Sequence, residues 1–456
     1  MRTSHARLAS APADGCPGVT IRSWGRQQTI AIERAGEDLA ELTSSAVLSR
    51  GLGRSYGDAS LPASTSDIVA NTRFANRVLR FDETTGRLRA EAGLCLADLN
   101  RLFIPRGWFP TVTPGTKFVT LGGMVASDIH GKNHHREGCF CAHVHALKVR
   151  VGEGEIVECS REQHPELFHG TCGGMGLLGH ILEVECELRR IDSPWIRMER
   201  ERVPNIDAFL DALEHAALRW PMTMGWIDCL STGHSLGRGV LMAGRWATPE
   251  EARERPPTPP REWTFPQRLP GSALNRVTSR TFNTAYYRSH VSKRLERLVT
   301  PDQFFYPLDA VLEWNRAYGR RGFTQYQCVL PRAAGRTAVR GFLEHLTRLG
   351  AASPLCVIKD CGPEGEGLLS FPMEGTSIAV DMPITPRIQR HVDALNDFVL
   401  DAGGRIYLTK DLLTRPEHFW AMEARRLPRF LAARDRWDPR RRFQSAQSQR
   451  LFGAAT

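Results

Sequence analysis

Three glycine-rich segments fall within the first 180 residues, and none has the spacing of a standard nucleotide loop. The first, RGLGRSYGD over 50–58, sets Gly51, Gly53 and Gly57 where a backbone can take positive φ and approach a phosphate closely. Its spacing departs from G-x-G-x-x-G and no strong helical pattern follows directly, which argues against a nicotinamide fold. Taken alone, it reads equally well as a turn between strands. The second begins at Thr113, as TPGTKFVTLGGMVASDIHGKNHHREG. It supplies Pro114, Gly115, Gly122, Gly123 and Gly131, a backbone able to lie along an extended pyrophosphate. The third, CGGMGLLG ending at Gly179, repeats the chemistry just before a strand. Three such loops point to a dinucleotide cradled by loops rather than by one helix end.

At 456 residues the chain is long enough for two domains. No run approaches the roughly 18 apolar residues of a membrane span. The N-terminal MRTSHARLASAPADG lacks the apolar stretch of a secretory signal, so a cytoplasmic protein is expected. Eleven scattered cysteines then read as reduced thiols. The net charge of +10 is mostly arginine, concentrated near the C-terminus in ARRLPRFLAARDRWDPRRRF. No zinc-finger, helix-turn-helix or RNA-recognition signature accompanies it, so nucleic acid is not the expected partner. A phosphorylated substrate, peripheral contact with the inner membrane surface, or a solvated basic helix would each use that charge.

His130, His134, His135, Cys139, Cys141 and His143 cluster in sequence, but their spacing matches no standard zinc pattern and no metal is expected. His130, between glycine-rich stretches, is better placed to act on a cofactor or substrate, because its pKa lies near working pH.

Short β-like runs dominate up to about residue 190, and no internal repeat is visible. Residues 249–270 contain PPTPP and read as an exposed, mobile excursion. The C-terminal half is more regular. GFTQYQCVLP alternates as a strand, and a helix with Val339, Phe342, Leu343, Leu346 and Leu349 on one face stops at Gly350. PLCVIKD and TSIAVDMPI follow as strands. A second helix, with Thr385 as cap and Pro386 as first residue, carries Ile388, Val392, Leu395 and Val399 and ends at Gly403–Gly404. GRIYLTKD closes the series as a strand. The β-α-β-β-α-β order predicts a sheet with two helices on one face and an open face free to cover a ligand. Alternation puts Gln325 and Gln327 on one strand face, where two amides can bind sugar hydroxyls or simply meet solvent.

RGLGRSYGD, TPGT, DIHGKNHH, GGMGLLG, FTQYQ and YLTKD, in this order, resemble the vanillyl-alcohol-oxidase type of FAD-dependent oxidoreductase. Within it the chain is most similar to the decaprenylphosphoryl-β-D-ribose 2′-oxidase family. DIHGKNHH with YPLD, EWNRAYGRRGF and WDPRRRFQS makes the likeness specific, and it runs from about Trp24 to Phe452. It implies an α+β, two-domain flavoprotein. The FAD-binding domain would take 1–193, and a substrate-binding domain with an antiparallel sheet and helices would take 194–407. The segment 408–456 would return to the FAD domain.

Carried over position by position, the resemblance implies FAD against Gly51, Gly53, Arg54, Ser55, Tyr56, Gly57, Pro114, Gly115, Thr116, Gly122, Gly123, Ser127, His130, Gly131, Asn133, Gly179, Ile181 and Tyr407. Relatives that tether flavin often place a His in the first loop. Ser55 and Tyr56 stand here, which implies non-covalent FAD. Lys410, His130 and Tyr56 would be catalytic, and Lys132, Tyr306, Gln325, Gln327, Lys359, Ala379, Asp381 and Lys410 would meet substrate. Ala379 stands where the family has an active-site cysteine and Ser377 where it has an asparagine, which leaves the exact substrate open.

The implied reaction oxidises a secondary hydroxyl of a sugar or lipid-linked sugar phosphate by hydride transfer to flavin N5. His130 or Lys410 would take the proton. An NAD(P)H-dependent ketoreductase partner would complete an epimerisation. The rivals are an alditol or aldonolactone oxidase using oxygen, and a non-catalytic basic binding protein that kept the fold.

Overall fold

The computed structural model describes residues 18–252, 257–258, 261–265, 274–350 and 353–453; the N-terminal stretch read for a signal lies outside them. The β-like runs of the first 190 residues build two sheets. Val19–Arg22, Gln28–Ala35, Ile68–Asn71 and Leu48–Arg50 lie side by side in that order, the last three parallel. Val78–Asp82, Arg87–Glu91, His180–Arg190, Val144–Arg150 and Ile156–Ser160 form an antiparallel sheet, with Trp108–Pro110 also pairing the long His180–Arg190 strand. That strand buries Val184, Cys186 and Leu188 by simple alternation.

The third sheet has eight strands and is antiparallel throughout. One half follows the predicted order: strand Phe323–Pro331, helix Gly335–Leu349, strands Cys356–Cys361 and Gly375–Pro383, helix Ile388–Asp401, strand Arg405–Ile406. The other half has the same order: Ile196–Val203, helix Ile206–Arg219, Met222–Ile227, Gly239–Trp246, helix Arg276–Ser289, Arg294–Val299. In each half the strands stand fourth, first, third, second, and the two second strands pair at Gly225–Trp226 with Val357–Ile358. The chain therefore contains a duplicated β-α-β-β-α-β topology that its sequence conceals.

In the C-terminal half one sheet face is closed by the two helices. Tyr326 stacks on Phe342 and donates its hydroxyl to Asn396 Oδ1 at 2.9 Å. The opposite face carries Gln325 across from Asp381, Gln327 across from Ala379 and Lys359 across from Ser377. The second helix begins at Ile388 with Arg387 as its cap residue, later than the Thr385–Pro386 start read from sequence. The final strand stops at Ile406: Tyr407 N still reaches Gln327 O at 2.9 Å, but Lys410 N turns back to Tyr407 O at 2.9 Å.

The Pro-rich excursion is tied down where it is described. Glu251 meets Arg197 and Arg245, and Trp263–Thr264 runs parallel to Val311–Leu312. Its positions 253–256, 259–260 and 266–270 lie outside the described residues. The C-terminal segment packs back on the first part of the chain: Ala446 N bonds Leu61 O at 2.9 Å, and Arg450 bridges Asp58 and Asp411 at 2.8 and 2.9 Å. Among the described residues no helix is long and apolar enough to cross a membrane.

Candidate active site

The three glycine segments meet around the short helix Leu121–Ala126. Thr120 caps it by accepting from Gly123 N at 3.3 Å, and a Cβ on Gly51 would lie 2.5 Å from the Thr120 hydroxyl oxygen. Gly173 N and Met175 N donate to Val125 O and Ala126 O from the third segment, at 3.0 and 2.9 Å. Gly53 has φ 62°, and a Cβ on Gly57 would sit 1.7 Å from Asp411 O, so both positions require glycine. Gly115 and Gly123 are exposed, and a Cβ on Gly115 would meet nothing within 4 Å.

The remaining cofactor candidates divide by what they touch. Arg54 lies over the Trp24 ring at 4.0 Å, and Pro114, Thr116 and Ser55 line half-buried loop positions. Ser127 O accepts the Tyr407 hydroxyl at 3.1 Å. Asn133 donates to Thr111 O at 2.7 Å and crowds Gly131. Gly122 gives its N–H to Ala92 O at 2.8 Å, while Gly179 and Ile181 pack against the Val144–Arg150 strand. These last three serve packing more than open backbone. The cradle fits FAD: glycine backbone is open at Gly115 and exposed at Gly123, and the second segment continues to Ser127 and His130, which meet Tyr407 and Lys359 of the polar sheet face.

That face is built from three strands and the loops packed on them. His130, 6% exposed, accepts at Nδ1 from Lys359 Nζ at 2.8 Å. The neutral imidazole proton then resides on Nε2, which lies 3.1 Å from Gln327 Nε2, so this contact becomes a hydrogen bond only with the Gln327 amide turned to present its oxygen. Burial, then the Lys359 charge, hold His130 well below the ordinary histidine pKa. Lys132 donates to Phe305 O at 3.0 Å. Burial lowers Lys132 to about 7, Lys359 to about 8 and Lys410 to about 7. Lys359 lowers both of the other lysines, while Asp381 opposes the shift at Lys410.

Asp381 is fully enclosed and accepts from Gln325 Nε2 at 2.6 Å and from the Tyr318 hydroxyl at 2.9 Å. Its burial raises it to about 6. Lys410 Nζ lies 3.8 Å from the centre of the Tyr56 ring, which packs edge-on against Phe323. Tyr56, His130, Lys359, Gln325, Gln327, Asp381, Tyr407 and Lys410 are thus brought together, with Ser377 and Ala379 on the same face.

Tyr306 is placed elsewhere. It is 1% exposed, and its hydroxyl is taken up by Thr113 Oγ1 at 2.5 Å and Asn100 Nδ2 at 3.1 Å. It ties the second glycine segment to the core and cannot offer its hydroxyl to substrate. Sequence reasoning missed Tyr318, whose motif EWNRAYGRRGF carries no period that would aim it at Asp381. It also missed Asp128, which has φ 37°, is fully buried, and is held by Ser370 Oγ and Cys141 N. The histidines after Gly131 point apart: His134 accepts from Gly362 N, while His135 and His143 meet the backbone oxygens of Trp220 and Glu137.

Residues 38–160 match the family described as FAD binding domain. The chain is 32% identical over 450 residues to decaprenylphosphoryl-beta-D-ribose oxidase of Mycolicibacterium smegmatis, covering 94% of this chain and 97% of that protein. The chain belongs to the decaprenylphosphoryl-beta-D-ribose oxidase family. It is an FAD-dependent oxidoreductase, and its FAD-binding family match includes the first two glycine segments. An uncharacterized protein of Streptomyces coelicolor is 29% identical over 373 residues, 78% of this chain and 100% of its own length. L-gulonolactone oxidase of Bos taurus is 26% identical over 219 residues, 45% of this chain and 49% of that enzyme. The decaprenylphosphoryl-beta-D-ribose oxidase family thus has aldonolactone oxidases among its relatives.

Proposed function

We propose that this protein oxidises a secondary hydroxyl of a pentose carried on a polyprenyl phosphate to the ketone, as the first half of an epimerisation. The observation that carries this reading is the meeting of Lys359 and Lys410 with two amides, Gln325 and Gln327, at one sheet face, with Lys132 buried close to Lys359 and held by Phe305 O. Cations of lowered pKa favour an anionic ligand, and paired amides suit sugar hydroxyls. In this reading residues 1–193 and 408–456 hold the cofactor, and the sheet of 194–407 covers the substrate. FAD is held without a covalent bond, because the loop 50–58 offers Ser55 and Tyr56 and no histidine.

When bound, FAD supplies the two-electron acceptor. The chain supplies the proton chemistry. His130 has both ring nitrogens engaged, so it orients Lys359 and Gln327 rather than acting as base. Lys410, near 7, has a neutral fraction at working pH that takes the hydroxyl proton on Nζ, with Asp381 steadying the resulting cation. Gln325 is held by Asp381 through Nε2, which leaves its oxygen for a sugar hydroxyl. An NAD(P)H-dependent ketoreductase would return the ketone as the epimeric alcohol.

Product analysis tests this reading. Incubation with polyprenyl-phosphoryl ribose and an artificial acceptor should yield the 2′-ketone, recovered as two epimers after borohydride. The likeness to L-gulonolactone oxidase favours a second reading, an aldonolactone oxidase. Oxygen consumption with free lactones and none with the lipid-linked pentose would favour that alternative.

A further inference from the structure

The helix Arg276–Ser289 is packed inside out. Its enclosed residues are polar: Asn283 is fully buried and donates to Asp228 Oδ1 at 2.8 Å, and Ser279 is 2% exposed. Thr284 accepts from Arg238 Nη2 at 2.8 Å, and Tyr286 packs edge-on against Trp226. The outer side carries Val277 at 75% exposure and Phe282 at 54%, and Val291, just beyond the helix, is 81% exposed. A surface helix ordinarily turns such side chains toward the core.

The charge on this strip is one-sided. Residues 274–293 include Arg276, Arg280, Arg288 and Lys293 and no carboxylate. None of these four cations makes an ion pair among the described residues. On the adjoining strands Glu199 pairs with Arg294 and Arg219, and Glu296 with Arg197. Scattered exposed apolar residues are common. Exposed apolar side chains interleaved with unpaired cations match instead the surface of a helix that lies in an anionic lipid interface.

The strip also adjoins the active site. Leu274, directly before the helix cap Asn275, packs against the aromatic cluster of Tyr56, Tyr318 and Phe323. Tyr56 lies under the Lys410 ammonium. A bilayer held at the strip would therefore sit next to the aromatic wall of the catalytic face, where a lipid-linked substrate must arrive.

We propose that residues 274–293 form the surface by which this protein docks onto an anionic lipid bilayer. The link to substrate delivery rests on the polyprenyl-phosphate reading above; the docking itself does not. The charges supply salt-sensitive attraction, and Val277, Phe282 and Val291 enter the acyl boundary.

The test is sedimentation of the full-length holoprotein with phosphatidylcholine vesicles, with and without phosphatidylglycerol. The wild type should bind the phosphatidylglycerol vesicles, less so in high salt, and bind the neutral ones weakly. The double variant Phe282→Asp/Val291→Asp should lose at least about tenfold in vesicle affinity. Arg280→Ala and Arg288→Ala should each cost about fivefold on anionic vesicles. All remain soluble with the flavin spectrum of the wild type, since the substituted side chains are exposed. Equal binding by wild type and variants, or no binding to either vesicle, overturns the proposal. Vesicle binding without oxidation of a lipid-linked pentose would leave docking intact and remove the substrate reading instead.

Discussion

Lys359 donates to His130 Nδ1 at 2.8 Å, joining the strand Cys356–Cys361 to the second glycine segment through one hydrogen bond. The contact fixes the histidine tautomer and places a cation that depresses Lys132 and Lys410 together. Lys359→Met should therefore move the acid limb of the kcat/KM profile to higher pH, because Lys410 loses a repelling neighbour and rises above about 7. The pH–rate profile of the variant against the wild type checks this. An unmoved limb would uncouple the two lysines.

Removing Lys410 itself should leave FAD in place but lower kcat by about 10²–10⁴-fold, the usual range for a lost acid–base group. Lys410→Arg should not rescue, since a guanidinium does not release its proton at working pH. Single-turnover reduction of the flavin band measures the step. Rescue by arginine would mean that charge alone is required.

Stability of the FAD-free protein should rise between pH 7 and 9. Lys132, Lys359 and Lys410 have folded pKa values of about 7, 8 and 7, below the ordinary lysine value of 10.5. Within that window the unfolded chain binds more protons than the folded one, so raising pH favours the fold. The slope approaches about 1.4 kcal/mol per pH unit for each lysine deprotonated only when folded. Denaturant midpoints across this range give the measurement, and Lys359→Met should flatten the rise.

Tyr306→Phe separates a structural tyrosine from a substrate contact. Losing the hydroxyl strands Asn100 Nδ2 and Thr113 Oγ1 in a buried position, a cost of about 1–3 kcal/mol. Chemical denaturation should register that loss, while KM for substrate stays within about twofold. A large KM change with unchanged stability would return Tyr306 to the pocket.

The regular C-terminal half was legible because its strands alternate and its helices carry apolar stripes that are in fact buried: Val339, Phe342, Leu343 and Leu346, then Ile388, Val392, Leu395 and Val399. Alternation also put Gln325 and Gln327 on one strand face, the face that meets Asp381 and His130. The matching first half was hidden for physical reasons. Its two outermost strands, RLERLV at the edge and IRMERERV beside it, are heavily charged, and its second helix buries Ser279 and Asn283 instead of an apolar stripe. Hydrophobic period cannot report an element that is held by polar contacts. Tyr306 went astray for a related reason: the YPLD motif fixes its neighbourhood but not the direction of its ring, which Asn100 and Thr113 decide from distant parts of the chain. The strand read through Lys410 stops at Ile406 because the chain turns there, and that turn is what brings Lys410 over Tyr56.

The most direct test of the central claim is anaerobic mixing of the purified yellow holoprotein with polyprenyl-phosphoryl ribose while the flavin band is followed. The band should bleach in a single turnover, and after acid precipitation the flavin should appear in the supernatant. An oxidised flavin that does not respond to the lipid-linked pentose would contradict the substrate assignment, and colour retained in the pellet would contradict the non-covalent site.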